Sequence, residues 1–390
     1  MIQYDCFPQG ECDLMSDFDE YYEATEPELR ERAFGWATAI GLQQVDGLTP
    51  SKYLIQTARR NIEGEITCDE ARRLVDSYYE TRLGHEEPTG HQEADKVSAR
   101  MNQLIHVPAF GMTPEFFLGL HGKMFEGVFG HAGRIRDVEL LKREWVLNGD
   151  SVQYDVSFLV ERSLEKHFER ELSFKYKGLS DNAFVSHFSA FIARLWQIHP
   201  FREGNTRTTA LMAIKYLRSM RYEVTNDLFA RKSFYFRNAL VRANYDNRKL
   251  DVEKTLVPLE EFFKVLIFGE ELELHSRFLR LGQEYGSPAA NAIADLHRSD
   301  SGNDGAAKQG GDVVNDVVND VVNFSVMEER AVKLLLKDSR LSAARLAEAL
   351  GVKQRQAQRI IASLKVKAGL KRRGSDKTGE WYFETLAREG

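Results

Sequence analysis

Cysteine is scarce in this 390-residue chain, and so is any long run of apolar residues. The three cysteines, Cys6, Cys12 and Cys68, are odd in number and lack metal-ligand spacing, which argues against a disulfide scaffold or a zinc site and for free thiols in a reducing compartment. No basic-then-apolar leader opens the chain and no stretch is apolar enough to span a bilayer, so neither export nor membrane insertion is expected and the location reads as cytoplasmic. Strong charge of one sign is also missing: the net charge is -6. What is present is 43% hydrophobic and 29% charged residues, the make-up of a soluble globular protein, over a length that suits two or three domains.

The stretch His199-Pro200-Phe201-Arg202-Glu203-Gly204-Asn205-Thr206-Arg207 organises the rest. Before it, Phe184, Val185, Phe188, Phe191, Ile192, Leu195 and Trp196 fall at helical spacing; after it, Leu211, Ile214 and Leu217 repeat every three residues. Pro200 disfavours continuing the first helix, so the nine residues form a tight loop between two helices. The loop holds a base (His199), an acid (Glu203), a permissive glycine (Gly204), and then Asn205 and Arg207 at a helix start, where unpaired amides favour anions. A carboxylate beside phosphate oxygens suits Mg2+, and a fixed imidazole can take a proton from a hydroxyl. Together these parts suffice to move a phosphate-linked group onto an alcohol.

The stretch resembles the signature of the Fic (filamentation induced by cAMP) family, His-x-Phe-x-(Asp/Glu)-Gly-Asn-Gly-Arg-x-x-Arg. His199, Phe201, Glu203, Gly204, Asn205 and Arg207 match; Thr206 replaces a glycine and Ala210 the last arginine. The resemblance implies a mainly α fold with a β-hairpin flap, and transfer of AMP from ATP to a Ser, Thr or Tyr hydroxyl of a protein. It makes His199 the general base, Glu203 the Mg2+ ligand and Phe201 the core anchor of the loop. Gly204 and Asn205 would bind phosphates, Arg207 would neutralise the outer ones, and Arg202 and Thr206 would complete the nucleotide-binding loop.

The resemblance extends outward. Helical periodicity up to Val45 stops at Asp46-Gly47, and Thr49-Pro50-Ser51 starts another helix. Residues 1–95 resemble the antitoxin-like segment of many Fic proteins, whose helix inserts a glutamate against the second arginine of the signature. Here the aligned positions are Leu42 and Asp46, and that arginine is Ala210, so such inhibition is expected to be weak or absent; Glu63-Gly64 is a competing candidate. Within the catalytic segment, 96–286, His121 reads as a structural histidine. The runs Val138–Lys142, Trp145–Leu147 and Val152–Tyr154 around Asn148-Gly149 read as a β-hairpin. In the family that hairpin is the flap, which holds the target as an added strand; Lys142 lies near the register, as a solvated lysine. Tyr235 and Asn244, in the helix after the motif, would by the same analogy touch adenine or ribose.

Residues 287–323 read as a linker ending in Asp-Val-Val-Asn given three times from Asp312 to Asn323, a segment for docking or self-association into a homo-oligomer. In 324–390, a helix, a second helix capped by Ser342, a Gly351 turn and a third helix read as helix-turn-helix, with Leu370–Arg373 and Trp381–Phe383 as a β-wing. Lys353 to Arg373 carries eight Lys or Arg and no acid, an electrostatic footprint for nucleic-acid phosphates, and Arg355, Gln356 and Arg359 would face a major groove. A winged helix used for protein contacts is the alternative. The whole reads as a Mg2+-dependent protein adenylyltransferase with DNA binding at its C-terminus. Two alternatives stay open: a DNA-binding regulator that senses nucleotide, and a related enzyme transferring another nucleotide or a phosphate.

Overall fold

The computed structural model describes residues 17–82, 90–224, 227–282, 325–374 and 379–383. Cys6, Cys12 and the linker with its Asp-Val-Val-Asn repeat lie outside them. Cys68 is a free thiol whose pKa burial pushes up. Among the described residues no helix is long and apolar enough to cross a membrane.

The protein is mainly helical. The short α1 (Asp19–Tyr22) leads to α2 (Pro27–Gly41), which Pro27 opens at a position where a missing N–H costs nothing. A 3-10 turn, Leu42–Asp46, ends at Gly47 with φ of 72°, the left-handed stop that Asp-Gly predicts. Then come α3 (Lys52–Ile62, capped by Ser51), α4 (Cys68–Arg82) and α5 (Gln92–His106). Two cores meet on α2: Phe34 and Ala39, with Leu42 of the following turn, face the main one, while Trp36, Ala37 and Ile40 join Leu54, Ala58, Ile62, Val75 and Tyr79 in a smaller one. Buried Asp95 accepts hydrogen bonds from the Ser51 amide and the Tyr79 hydroxyl, at 2.8 and 2.6 Å, and so ties α3 and α4 to α5.

Helices α5, α6 (Pro114–Phe125) and α8 (Asp181–Ile198) pack on α9 (Asn205–Ser219), whose residues 205–217 are all buried, and α7 (Val160–Ser173) packs on α8. The short α10 (Leu228–Arg231), α11 (Ser233–Ala243) and α12 (Val257–Phe268) close the main core. A helix enclosed on every side holds its loop rigidly, which is what a site needs.

The expected flap hairpin is corrected. Residues 138–144 and 150–156 form two arms without helix or strand, and no strand ladder joins them: the Glu144 amide donates to the Asp150 carbonyl, and Trp145–Leu147 forms a 3-10 turn closed by left-handed Asn148 and Gly149. Val146 and Leu147 are drawn into the main core, and the Val146 carbonyl accepts from Leu281 N instead of a partner strand. The turn forms, but tertiary burial overrides the strand pairing that it implied.

At the C-terminal end stand α13 (Val326–Lys337), begun by a Ser325/Glu328 capping box, α14 (Ala343–Leu350), Gly351 at φ of 70°, and α15 (Gln354–Lys367). Strands β1 (Leu370–Arg373) and β2 (Glu380–Phe383) pair antiparallel, with Leu370 opposite Phe383 and Arg372 opposite Trp381. This unit has its own core, including Val332, Leu346, Ile361, Leu364 and Phe383, into which Val156 and Leu159 also pack.

Candidate active site

Helix α8 ends because His199 turns left-handed, φ 50°, ahead of Pro200, and α9 starts from Gly204 at φ of 77°. A side chain at 204 would meet Phe125 at 2.5 Å, so glycine is needed both for the turn and for the close approach. Phe201 is fully buried, stacked on His121 with centroids 3.7 Å apart, which contributes about 2–3 kcal/mol to anchoring the loop. His121 accepts from Gly133 N through Nδ1 at 2.8 Å and donates from Nε2 to the Glu203 carbonyl at 3.0 Å; burial pushes its pKa down to about 3, so it stays neutral. It is the structural histidine that the sequence suggested.

His199 is 2% exposed. Its Nδ1 lies 3.2 Å from the Trp196 carbonyl, which can only accept, so Nδ1 carries the proton and Nε2 presents a lone pair. Nε2 is buried with no hydrogen-bond partner among the described residues. Burial, then Lys142 and Arg136, hold the imidazole pKa well below its ordinary value, which keeps it in the base form. Tyr154 stacks on the ring at 3.9 Å, and Arg136 donates from Nε to the His199 carbonyl at 2.7 Å and from its amide to the Pro200 carbonyl at 2.8 Å.

The loop's other residues divide. The Asn205 carboxamide accepts from Phe201 N at 3.0 Å and donates to Phe201 O at 2.8 Å, so it shapes the loop, whereas the resemblance had it bind phosphate. Thr206 turns its hydroxyl inward to accept from Trp196 Nε1 at 3.0 Å. Arg202 pairs with Asp137 at the surface. Lys142, expected to be solvated, is 8% exposed and donates from Nζ to Glu203 Oε2 at 3.1 Å. Tyr235 is buried with its hydroxyl 3.3 Å from Glu261, and Asn244 bonds the carbonyls of Ala193 and Leu240 at 2.9 Å each. Neither is brought to the loop; both hold α11 in place.

Arg207, 1% exposed, donates to Gln43 Oε1 at 2.7 Å and to Glu93 Oε1 at 2.8 Å, lies over the Phe125 ring at 4.7 Å, and has its Nε 2.8 Å from Asp46 Oδ2. The last contact is an ion pair without hydrogen-bond alignment, since both atoms lack a hydrogen-bond partner. Asp46 was expected to lack an arginine because Ala210 is not one. It finds the first arginine instead, while Ala210 is buried in the core. Glu63 stays outside the site and accepts from the Tyr21 hydroxyl at 2.6 Å.

Arg237 was missed altogether: from α11 it donates to the Val45 carbonyl at 2.9 Å, pairs with both oxygens of Glu144 at 3.2 and 3.1 Å, and stands 3.8 Å from Asp46 Oδ1. Burial opposes its charge, but Glu144 and Asp46 hold its pKa above the ordinary value. No sequence signal marks it, because its partners come from positions 45, 46 and 144.

Residues 111–217 match the Fic/DOC family. This Fic/DOC domain takes in His121, Lys142, Tyr154 and the whole loop. Over 129 residues the sequence is 29% identical to a probable protein adenylyltransferase of Sinorhizobium fredii; the match covers 33% of this chain and 62% of that relative, less than two thirds of its length.

Among the described residues no group of three or more His, Cys, Asp or Glu could hold a metal by itself. Mg2+ needs only one or two carboxylates when phosphate oxygens complete its shell, and Glu203, its side chain 31% exposed at the mouth of the loop, fits that donor set.

Proposed function

We propose that this protein transfers AMP from ATP to a hydroxyl of a protein. The observation that carries the reading is His199: Nδ1–H fixed on a carbonyl, and a buried, unpartnered Nε2 in the base form, near Lys142, which pairs with Glu203. The name of the Sinorhizobium relative supports it. Nε2 takes the proton of the acceptor hydroxyl as its oxygen bonds to the α-phosphorus; the bond from that phosphorus to the β-phosphate oxygen breaks, and pyrophosphate leaves. Mg2+ on Glu203 would neutralise charge on the phosphates. Arg207 binds the outer phosphates, the amides that open α9 bind the inner one, and Phe201 and Asn205 keep the loop's shape. The target lies along the arm 138–144.

The site as it stands is a resting one. Asp46 occupies donors of Arg207, and Lys142 occupies Glu203, so substrate has to displace both. The C-terminal unit, read as a winged helix-turn-helix, would add DNA binding through Arg355, Gln356 and Arg359, all exposed on α15. A cytoplasmic location and self-association through the Asp-Val-Val-Asn repeat belong to the same proposal.

The test is incubation of the purified chain and cell lysate with Mg2+ and ATP labelled in the α or the γ position, followed by intact-mass analysis. Label retained from the α position alone, absent with His199→Ala, is the expected result. Retention of γ label would indicate phosphate transfer, and no retention at all would favour the nucleotide-sensing regulator.

A further inference from the structure

The carboxylate of Asp46 lies between two guanidinium groups, one on each oxygen: Arg207 Nε is 2.8 Å from Oδ2 and Arg237 Nη1 is 3.8 Å from Oδ1. The two cations reach that point from different helices, α9 and α11. Neither requires Asp46 for neutrality, because each already has a carboxylate of its own, Glu93 at 2.8 Å for Arg207 and Glu144 at 3.1 Å for Arg237. Asp46 is therefore an additional anion set against two existing ion pairs.

It is also an imperfect occupant. Its Oδ2 and Arg207 Nε are both buried without an aligned hydrogen bond, and Oδ1 stands beyond hydrogen-bond distance of Arg237. A buried donor left in that state is costly, and a larger anion with oxygens pointing in more directions would satisfy it better. The turn that carries Asp46 is a single 3-10 segment ending in left-handed Gly47, so the carboxylate can withdraw without unravelling α2. On its withdrawal, donors of both arginines face one space.

We propose that Arg237 is a second phosphate-binding residue of this site, which grips with Arg207 the outer phosphate of the nucleotide and supplies from α11 the cation that the sequence lacks at Ala210. The inference rests on the nucleotide reading above and extends it to a residue outside the motif. It also accounts for the burial of Ala210: with Arg237 in place, a second arginine on α9 is unnecessary, and the position packs against the core. Arg237 is then a determinant of preference for triphosphate over monophosphate, because AMP does not extend to it.

Isothermal titration calorimetry of the full chain with ATP, AMP and inorganic tripolyphosphate tests this. Asp46→Asn removes the competing charge and should tighten ATP and tripolyphosphate by roughly tenfold. Adding Arg237→Gln to that variant should weaken both by roughly ten- to a hundredfold, the range of one charge-assisted hydrogen bond, and leave AMP nearly unchanged. Since Arg237→Gln alone leaves Glu144 buried and unpaired, a version carrying Glu144→Gln as well keeps the measurement available if the simpler variant does not fold; the same loss is expected of it. ATP binding that is tight in Asp46→Asn and indifferent to Arg237 overturns the inference and leaves the transfer reading standing. Tripolyphosphate binding that depends on Arg237, with no binding of ATP, supports the anion site and overturns the nucleotide reading. No binding of either in Asp46→Asn overturns the inference.

Discussion

Arginine is handled in opposite ways at the two ends of the molecule. Around the motif, Arg136, Arg207 and Arg237 lie inside the fold, and each is tied by carbonyls, a carboxamide or carboxylates that include groups from a distant part of the chain. On α15, Arg355 and Arg359 stand in solvent on the face opposite Ile360, Ile361 and Leu364. A guanidinium taken out of water costs several kcal/mol unless pairing restores it, so its position is fixed by geometry. One left in water costs little and contributes mainly long-range charge. The first arrangement suits recognition of one small anion at one place; the second suits a diffuse row of phosphates.

The largest test of that contrast is stability. Arg207→Gln strands Glu93 without its cation and takes one of two from Asp46, and should lower the unfolding free energy by about 3–5 kcal/mol. Arg359→Ala should change it by no more than about 0.5 kcal/mol. Urea denaturation of both variants checks the difference, and equal losses would show that the motif arginines are not structurally committed.

Acid should separate the two regions next. His167 is buried against Phe191, and burial, then Arg194, pushes its pKa down to about 3, with Glu171 and Asp155 opposing. His199 is depressed as well. The unfolded chain protonates these imidazoles below about pH 6.5 while the folded one does not, so stability is full above that pH and falls as pH drops toward 3. Each group contributes at most about 1.4 kcal/mol per pH unit in that window. The C-terminal unit has no histidine and should not share this slope. Thermal melts between pH 7 and 5 check it, and His167→Gln should flatten the fall in the main unit.

These contrasts also mark what the sequence could disclose. The loop 199–207 is continuous, and its helices announce themselves by period, so its parts were legible from spacing, while the role of Phe201 as core anchor came from the family resemblance. Gly47 and Gly351 were legible as helix stops because glycine's left-handed freedom is a local property. Lys142 on Glu203, Asp46 on Arg207 and Arg237 beside both were not, since each contact joins elements far apart in the chain. The flap failed for the same reason: Asn148-Gly149 does turn, but the core claims Val146 and Leu147. Tyr235 and Asn244 look alike as base contacts or as packing until their hydrogen-bond partners are known.

A smaller stability effect is expected at Gly204. Alanine there must hold φ near 77° and push the Phe125 ring, 2.5 Å from the added carbon, off the Arg207 guanidinium. About 1–3 kcal/mol should be lost, together with ATP binding. Loss of stability without loss of binding would mean that the tight turn serves folding alone.

The smallest stability effect belongs to the double variant Arg355→Ala/Arg359→Ala, and there the comparison is sharpest. Both side chains are exposed and the helix buries Ala357, Ile360, Ile361 and Leu364 on its other side, so the fold should be indifferent within about 0.5 kcal/mol. If α15 meets nucleic-acid phosphates, duplex affinity should fall and the slope of log affinity against log salt should shrink by about one for each phosphate contact removed. Transfer activity should not move, because neither residue touches the loop. An unchanged salt slope would place α15 among surfaces for protein contacts and confine the anion-binding reading to the motif.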